Sequence, residues 1–415
     1  MTTTNVTKVV VCDDDPTGTQ SATGVEVLLQ WDTEVLTAAL DRADAVYLLT
    51  NTRALDESAA VALVRRIRDE AAEVGRRLDA DVRLVLRGDS TLRGHVFAEC
   101  AAIDPRAPVV FAPAFPGGGR TTVEGTHLVR IGGVTVPAHE TEFARDPVFG
   151  YRYGHLPDYV RERSGRTSVP IGIGTVRSPA LAAVLAAAAE GEVLLPDVHD
   201  DTDLRLIADA LRTAWAHRTL VARGGAPLAA AIAGVTSDGL LPAPVAGPGS
   251  TLLVCGSHTA AATRQLERAA TGRTPGTVVR TAAALTDPGA ETEVVTAACA
   301  AALDSGFATL TSERDRLPAH DTLAHGESVM RVLAGTVARL RDRLDVVVTK
   351  GGITGAQVAR DGLGAVSARV RGQVLPGVSV WDLRTVDGRD VVQVVVPGNV
   401  GDDDALDAAL ATVRA

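Results

Sequence analysis

The sequence predicts an α/β protein of two lobes, each a mainly parallel sheet flanked by helices, with an interlobe cleft. Three observations lead there. At 415 residues the chain exceeds one ordinary core, since single domains run to roughly 100–200 residues. The 46% apolar fraction with only 3% aromatics requires an interior of Ala, Val and Leu, which suits helices on parallel strands. Short β-branched runs alternate with Ala/Arg/Glu-rich stretches of helical period, the rhythm of βαβ units.

The strands follow in order. Lys8 to Cys12, Ala45 to Leu49, Val82 to Leu86 and Val109 to Ala112 each run into a polar cluster: DDDPTGT, TNTRAL, RGDSTLRGH and PAFPGGGRTT. Ligands of open α/β sheets bind beyond the carboxyl ends of the strands, so the four clusters are expected to converge. Leu181 to Ala189 reads as an Ala-rich helix closed by Glu190, too short for the ~20 residues of a bilayer crossing. In SDGLLPAPVAGPG three prolines and three glycines deny the chain both helix and ladder hydrogen bonds. The expected division is therefore a domain over 1–236, a linker over 237–249 and a second domain over 250–415. The rhythm restarts at Ser250 to Cys255, Asp345 to Thr349 and Val391 to Val396, each followed by a Gly-containing turn: GSHT, KGGITG and PGNVGDDD.

A net charge of −10 without a lysine-rich stripe argues against nucleic acid as a partner. Cys12, Cys100, Cys255 and Cys299 lie apart among apolar neighbours and read as buried thiols of a reducing compartment. The first residues lack the succession of a secretion signal, so a cytoplasmic protein without a membrane partner is expected.

Asp13, Asp14 and Asp15 adjoin at a strand end, where like charges repel unless a cation, an arginine or a substrate hydroxyl relieves them. A solvated turn with an aspartate cap is the bland account. The sharper one has one carboxylate deprotonating or orienting a hydroxyl for attack on a γ-phosphate while another helps to hold Mg²⁺. Asp14 is the expected base, with Asp89 as the alternative. Asp89 lies between Arg87 and Arg93, so it is expected to stay ionised, and the arginines could instead grip a ligand carboxylate; a plain ion pair is the structural alternative. Arg53 and Arg120 likewise follow strands, which points to an anionic small ligand. Gly351 and Gly352, before a helical stretch near Thr354, have the geometry in which main-chain N–H groups hold phosphate, and Gly398, Gly401 and the Ser257 hydroxyl extend the pattern; none matches the P-loop or dinucleotide fingerprint. His95, His127 and His139 are not expected to ligate a metal, and the metal ligands are left unassigned.

These motifs resemble those of the four-carbon acid sugar kinases. DDDPTGTQ looks like the family's acidic motif, while NTRAL, RGDSTLRGH and PAFPGGGRTTVEGTH look like its further amino-terminal motifs. CGSHTAAATRQLE, TKGGITGAQVARDGLG, GQVLPGVSVW and PGNVGDDDAL are similar to its nucleotide-binding segments, and the likeness runs from about Val9 to Leu406. The resemblance implies an amino-terminal lobe that binds a sugar acid such as a tetronate or 3-oxo-tetronate, using Asp13, Asp15, Arg53, Ser90, Arg93 and Arg120 beside Asp14 and Asp89. It implies a carboxyl-terminal lobe that binds ATP with Mg²⁺, using Ser257, Lys350, Gly351, Gly352, Ile353, Thr354, Gly398, Asn399 and Gly401, with phosphate crossing the cleft. Val396 and Pro397 stand where the family often has Lys-Ser, and Ile353 where it often has Glu; Lys350 is the expected replacement cation. Monomer and homodimer both stay open. Two rivals remain: a haloacid-dehalogenase-like phosphatase using Asp13 and Asp15 in a DxDxT pattern with Thr17, and a non-catalytic small-acid binding protein.

Overall fold

The computed structural model describes residues 6–237, 239–271, 273, 275–315, 323–398 and 401–413. The chain separates into two compact units: Met1–Glu26 with Trp31–Ser237, and Val27–Gln30 with Asp238–Ala415, each over its described residues.

Eighteen described strands are numbered in chain order: β1 (Val6–Asp13), β2 (Glu26–Leu28), β3 (Ala45–Leu49), β4 (Ala80–Arg87), β5 (Val109–Ala112), β6 (Arg120–Val123), β7 (Thr126–Ile131), β8 (Val134–Pro137), β9 (Ser168–Ile171), β10 (Val193–Pro196), β11 (Val221–Gly224), β12 (Thr251–Cys255), β13 (Thr277–Val279), β14 (Phe307–Ser312), β15 (Val346–Lys350), β16 (Ser367–Leu375), β17 (Val378–Arg384) and β18 (Asp390–Val396). In the first unit the order β3-β1-β4-β11-β5-β10-β9 is parallel throughout. Such strands are buried on both faces, which is why β3 reads AVYLL and β5 VVFA without alternation. The chain leaves β1 toward β3 on one side and returns to β4 on the other, which puts a topological switch point at the carboxyl ends of β1 and β4. Register levels Asp13 with Leu49 and with Arg87, and Arg87 with Gly224, so the carboxyl ends of four strands meet at one edge.

The helices follow from spacing and caps. Over Glu57–Leu78 the buried residues Ala60, Val64, Ile67, Ala71 and Val74 recur every three or four positions, and Asp56 caps the start by accepting from Ala59 N–H at 2.8 Å. Asp200 and Asp203 form a capping box on the helix Asp201–Trp215. The helix expected near Leu181 spans Leu181–Ala186. Beside the main sheet, β6, β7 and β8 form an antiparallel sheet, so Arg120 opens a strand instead of lying in a turn.

In the second unit β13, β14, β12, β15 and β18 run parallel, while β17 is antiparallel to both β18 and β16. The turns at Gly377 and Gly388, both at positive φ, are too short for a crossover and force antiparallel pairing. β2 lies beside β16, and Leu29 N–H donates to Val366 O at 2.9 Å. Val346, Val348, Val394, Val396, Leu253 and Leu406 build this unit's apolar core. The four cysteines are buried and unpaired. Among the described residues no helix is long and apolar enough to cross a membrane.

Candidate active site

The first unit gathers its acidic and basic motifs at the switch point. Asp13 closes β1, and Asp14 and Asp15 begin a tight turn that Asp15 caps by accepting from Thr17 N–H at 2.8 Å. Arg87 Nη1 donates to Asp14 Oδ1 at 2.9 Å and to Asp13 Oδ1 at 3.2 Å. Arg53 pairs with Asp15 Oδ2, and its guanidinium lies 3.7 Å from Asp14 Oδ2 and 3.5 Å from Asp89 Oδ2. Arg93 donates to Asp89 Oδ2 at 2.7 Å, lies 3.6 Å from Asp146 and covers the Phe143 ring.

Several expectations need correction. Arg87 does not flank Asp89. It is the last residue of β4, level with Asp13, so the pleat aims it at the β1 carboxylates, whereas Asp89 lies beyond the strand end. Arg53 and Arg93, expected to grip a ligand carboxylate, already face protein carboxylates. Arg120 differs: it donates to Gly118 O at 2.6 Å, its Nε is buried without a partner, and it forms no ion pair among the described residues. Asp13, expected at the substrate, is fully buried, and a Cβ on Gly18 would fall 2.0 Å from its Oδ1. The turn therefore needs glycine at 18, and Asp13 orients Arg87 instead of a solute. Arg87 thus holds the carboxyl that the phosphatase reading would use as its nucleophile. Ser90 is buried, with its carbonyl on His127 Nε2 at 2.8 Å.

Environment separates the carboxylates. Burial pushes Asp14 above the ordinary carboxylate range, against the pull of Arg53, Arg87 and Arg223. Burial also acts on Asp89, but Arg93, Arg53 and the Thr91 hydroxyl outweigh it and hold the group well below that range. Asp15 is likewise lowered, because Arg53, Arg87 and its bonds to Thr17 overcome burial. Asp13 is raised to about 8, chiefly by burial, with its acidic neighbours adding and Arg87 opposing. A carboxyl with a folded pKa above its unfolded value stabilises fully below the unfolded value and loses that contribution as pH rises through the folded one. Unfolding midpoints are expected to fall between about pH 4 and about 8, and Asp13→Asn, which cannot ionise, should flatten that fall. A pH series of thermal melts in which D13N declines as steeply as the parent would refute this.

The second unit brings its glycine turns together because β12, β15 and β18 are adjacent and parallel. A Cβ on Gly351, at φ +110°, would lie 3.1 Å from Ser257 Cβ and 3.2 Å from Thr354 Oγ1, and one on Gly398 would lie 2.9 Å from Ser257 Oγ. Thr259 Oγ1 donates to Gly398 O at 2.9 Å and caps the helix Ala260–Ala270. Gly352 opens the helix Gly352–Gln357, so the first-turn N–H groups of Gly352, Ile353 and Thr354 have no intrahelical acceptor. Ile353 is exposed and Thr354 is buried with its hydroxyl on Met330 Sδ, so both offer only main chain. Gly401, at φ +86°, lies against Ala405, while the neighbouring Asp402 carbonyl accepts from Gln265 Nε2 at 2.7 Å. Asn399 lies outside the described residues. Lys350 does not replace the missing cation: it is fully buried and donates to Pro397 O at 2.5 Å. Burial lowers it to about 8. Arg314, which sequence reasoning missed, reaches the same turn and donates to Ser257 O at 2.6 Å.

Residues 9–232 match the model of a sugar-binding N-terminal domain and residues 252–406 that of a nucleotide-binding C-terminal domain. A D-threonate kinase of Salmonella typhimurium is 30% identical, over 97% of each chain. The chain belongs to the four-carbon acid sugar kinase family. Two solved structures share the fold of this four-carbon acid sugar kinase at 19% identity. One is a Haemophilus influenzae protein of family DUF1537, with TM-score 0.62 over 97% of this chain and all of its own. The other is a Salmonella typhimurium LT2 protein described as a candidate tRNA synthase, with TM-score 0.70 over 97% and 98%. The kinase has a residue at its acid cluster that no motif signalled, Arg223 at the end of β11, fully buried against Glu99. An arginine in an apolar strand before two glycines was the one available sign.

Proposed function

We propose that this chain is an ATP-dependent phosphotransferase acting on a hydroxyl of a four-carbon sugar acid, a tetronate or 3-oxo-tetronate. The observation that carries the reading is Asp14: a buried carboxylate whose Oδ2 has no hydrogen-bond partner, raised in basicity at a strand-end switch point of the unit that matches a sugar-binding domain. A general base works best when its pKa approaches the working pH, which favours Asp14 over Asp89. Asp89 holds Arg93 and Arg53 in place. Arg120, with its unsatisfied Nε, is the proposed partner of the acid's carboxylate.

ATP binds the turns of Ser257, Gly351–Thr354 and Gly398, where close main-chain approach and unsatisfied N–H groups suit phosphate oxygens. It donates its γ-phosphate to the hydroxyl held at Asp14. Mg²⁺ is proposed to arrive with the nucleotide. Among the described residues no group of three metal-ligating side chains stands together, and Asp13, Asp14 and Asp15 are engaged by arginines.

Purified protein with ATP, Mg²⁺ and a panel of four-carbon sugar acids tests the reading through acid-dependent ADP release. Phosphate release from phosphoesters without ATP would support the phosphatase instead. Acid binding without turnover would support the binding protein.

A further inference from the structure

Two buried polar atoms without hydrogen-bond partners face each other across 4.0 Å in the first unit, Asp14 Oδ2 and Arg223 Nη2. Arg223 is fixed from the other side: its Nη1 pairs with Glu99 on the helix Val96–Ile103, and both side chains are almost wholly buried. Gly88 lets the guanidinium lie where a Cβ would fall 2.6 Å from Nη2. Gly94 does something different. At φ +125° its missing Cβ would stand 3.5 Å from Arg223 Nη2, 3.7 Å from Asp14 Oδ2 and 3.7 Å from Arg53 Cγ, with nothing closer. These are ordinary contact distances, so glycine leaves a gap the size of one heavy atom in front of both orphaned groups.

An atom that enters through that gap to hydrogen-bond distance of both groups, which stand 4.0 Å apart, must donate to a carboxylate and accept from a guanidinium. A neutral hydroxyl does both, whereas a carboxylate oxygen or an ammonium group does one. We propose that Arg223 is a substrate-binding residue whose Nη2 donates to the oxygen of the reacting hydroxyl while that hydroxyl donates to Asp14 Oδ2, Gly94 keeping the space open. The inference rests on the kinase reading with Asp14 as base. In the transfer step the O–H bond breaks and its proton passes to Asp14 Oδ2, the oxygen bonds to the γ-phosphorus, and the bond from that phosphorus to the bridging oxygen breaks to release ADP. Arg223 keeps its protons throughout and stabilises the charge that develops on the oxygen. Glu99 holds Nη1, so the direction of Nη2 is set before the substrate arrives.

The test uses the full chain, the acid that turns over, and the analogue lacking its terminal hydroxyl, with binding followed by calorimetry. Arg223→Lys keeps a cation for Glu99 but loses the fork. It should weaken the acid about tenfold and the analogue less than about twofold, the size of one hydrogen bond to a charged group. A purely structural arginine would change both ligands alike, and that result, or no change in either, overturns the proposal. If R223K does not fold, Gly94→Ala decides: its methyl occupies the gap, so the acid should bind no better than the analogue, and full retention of the parent's preference overturns the proposal. If the unaltered protein turns over no acid, the kinase reading fails first and this inference with it.

Discussion

Asp14→Asn is expected to lower phosphoryl transfer by about 10²–10⁴-fold, the usual worth of a positioned general base, with ATP affinity nearly unchanged. The amide keeps the shape and can still accept from Arg87, but it cannot take a proton. Single-turnover rates with saturating acid and ATP give the readout. Turnover within about tenfold of the parent, a loss of only ~1.4 kcal/mol, would remove Asp14 from the role. Asp89→Asn is the matched control. Asp89 is ionised and tied to Arg93, Arg53 and Thr91, so its loss should act through arginine placement and raise KM more than it lowers kcat.

Gly351→Ala should reduce ATP affinity by about tenfold or more and leave acid binding intact. The residue sits at φ +110°, where any side chain adds roughly 1–3 kcal/mol of strain, and its Cβ would press on Ser257 Cβ at 3.1 Å and approach Ser257 N at 3.4 Å. Relief requires the two turns to part, which disperses the main-chain donors proposed to meet phosphate. Calorimetric titration with a non-hydrolysable ATP analogue checks this. Unchanged affinity in a folded variant would move the nucleotide away from these turns.

Much of this arrangement was legible in the chain. The strands at Ala45–Leu49 and Val109–Ala112 follow from continuous β-branched and apolar runs bounded by polar clusters, because a parallel strand buried on both faces has no polar side. The convergence of Ser257, Gly351 and Gly398 was readable for a similar reason: each turn ends a strand of one parallel set, so all lie at the same edge. The antiparallel run β16 to β18 was not anticipated. Its two short turns at Gly377 and Gly388 carry the signal, which the reading of the sequence left unused.

The direction of individual side chains was decided otherwise. Lys350 stands beside a glycine turn as a phosphate lysine would, yet strand register places it level with buried Val396 and its ammonium ends on Pro397 O. Arg87 is two residues from Asp89 in sequence and serves Asp13 and Asp14 instead. Arg223, some 130 residues beyond Asp89, reaches Asp14 only because β11 lies next to β4.

By itself the sequence located seven of the strands, β1, β3, β4, β5, β12, β15 and β18, with ligand-binding motifs at their carboxyl ends, and pointed to anionic, phosphate-bearing ligands, because periodicity and strand-end chemistry are local properties. Tertiary structure alone decided how each carboxylate is buried, which arginines face protein carboxylates among the described residues, and what a side chain at each glycine would meet. Those outcomes depend on burial and on charges that strand order brings within about 4 Å, and no spacing along the chain encodes such distances.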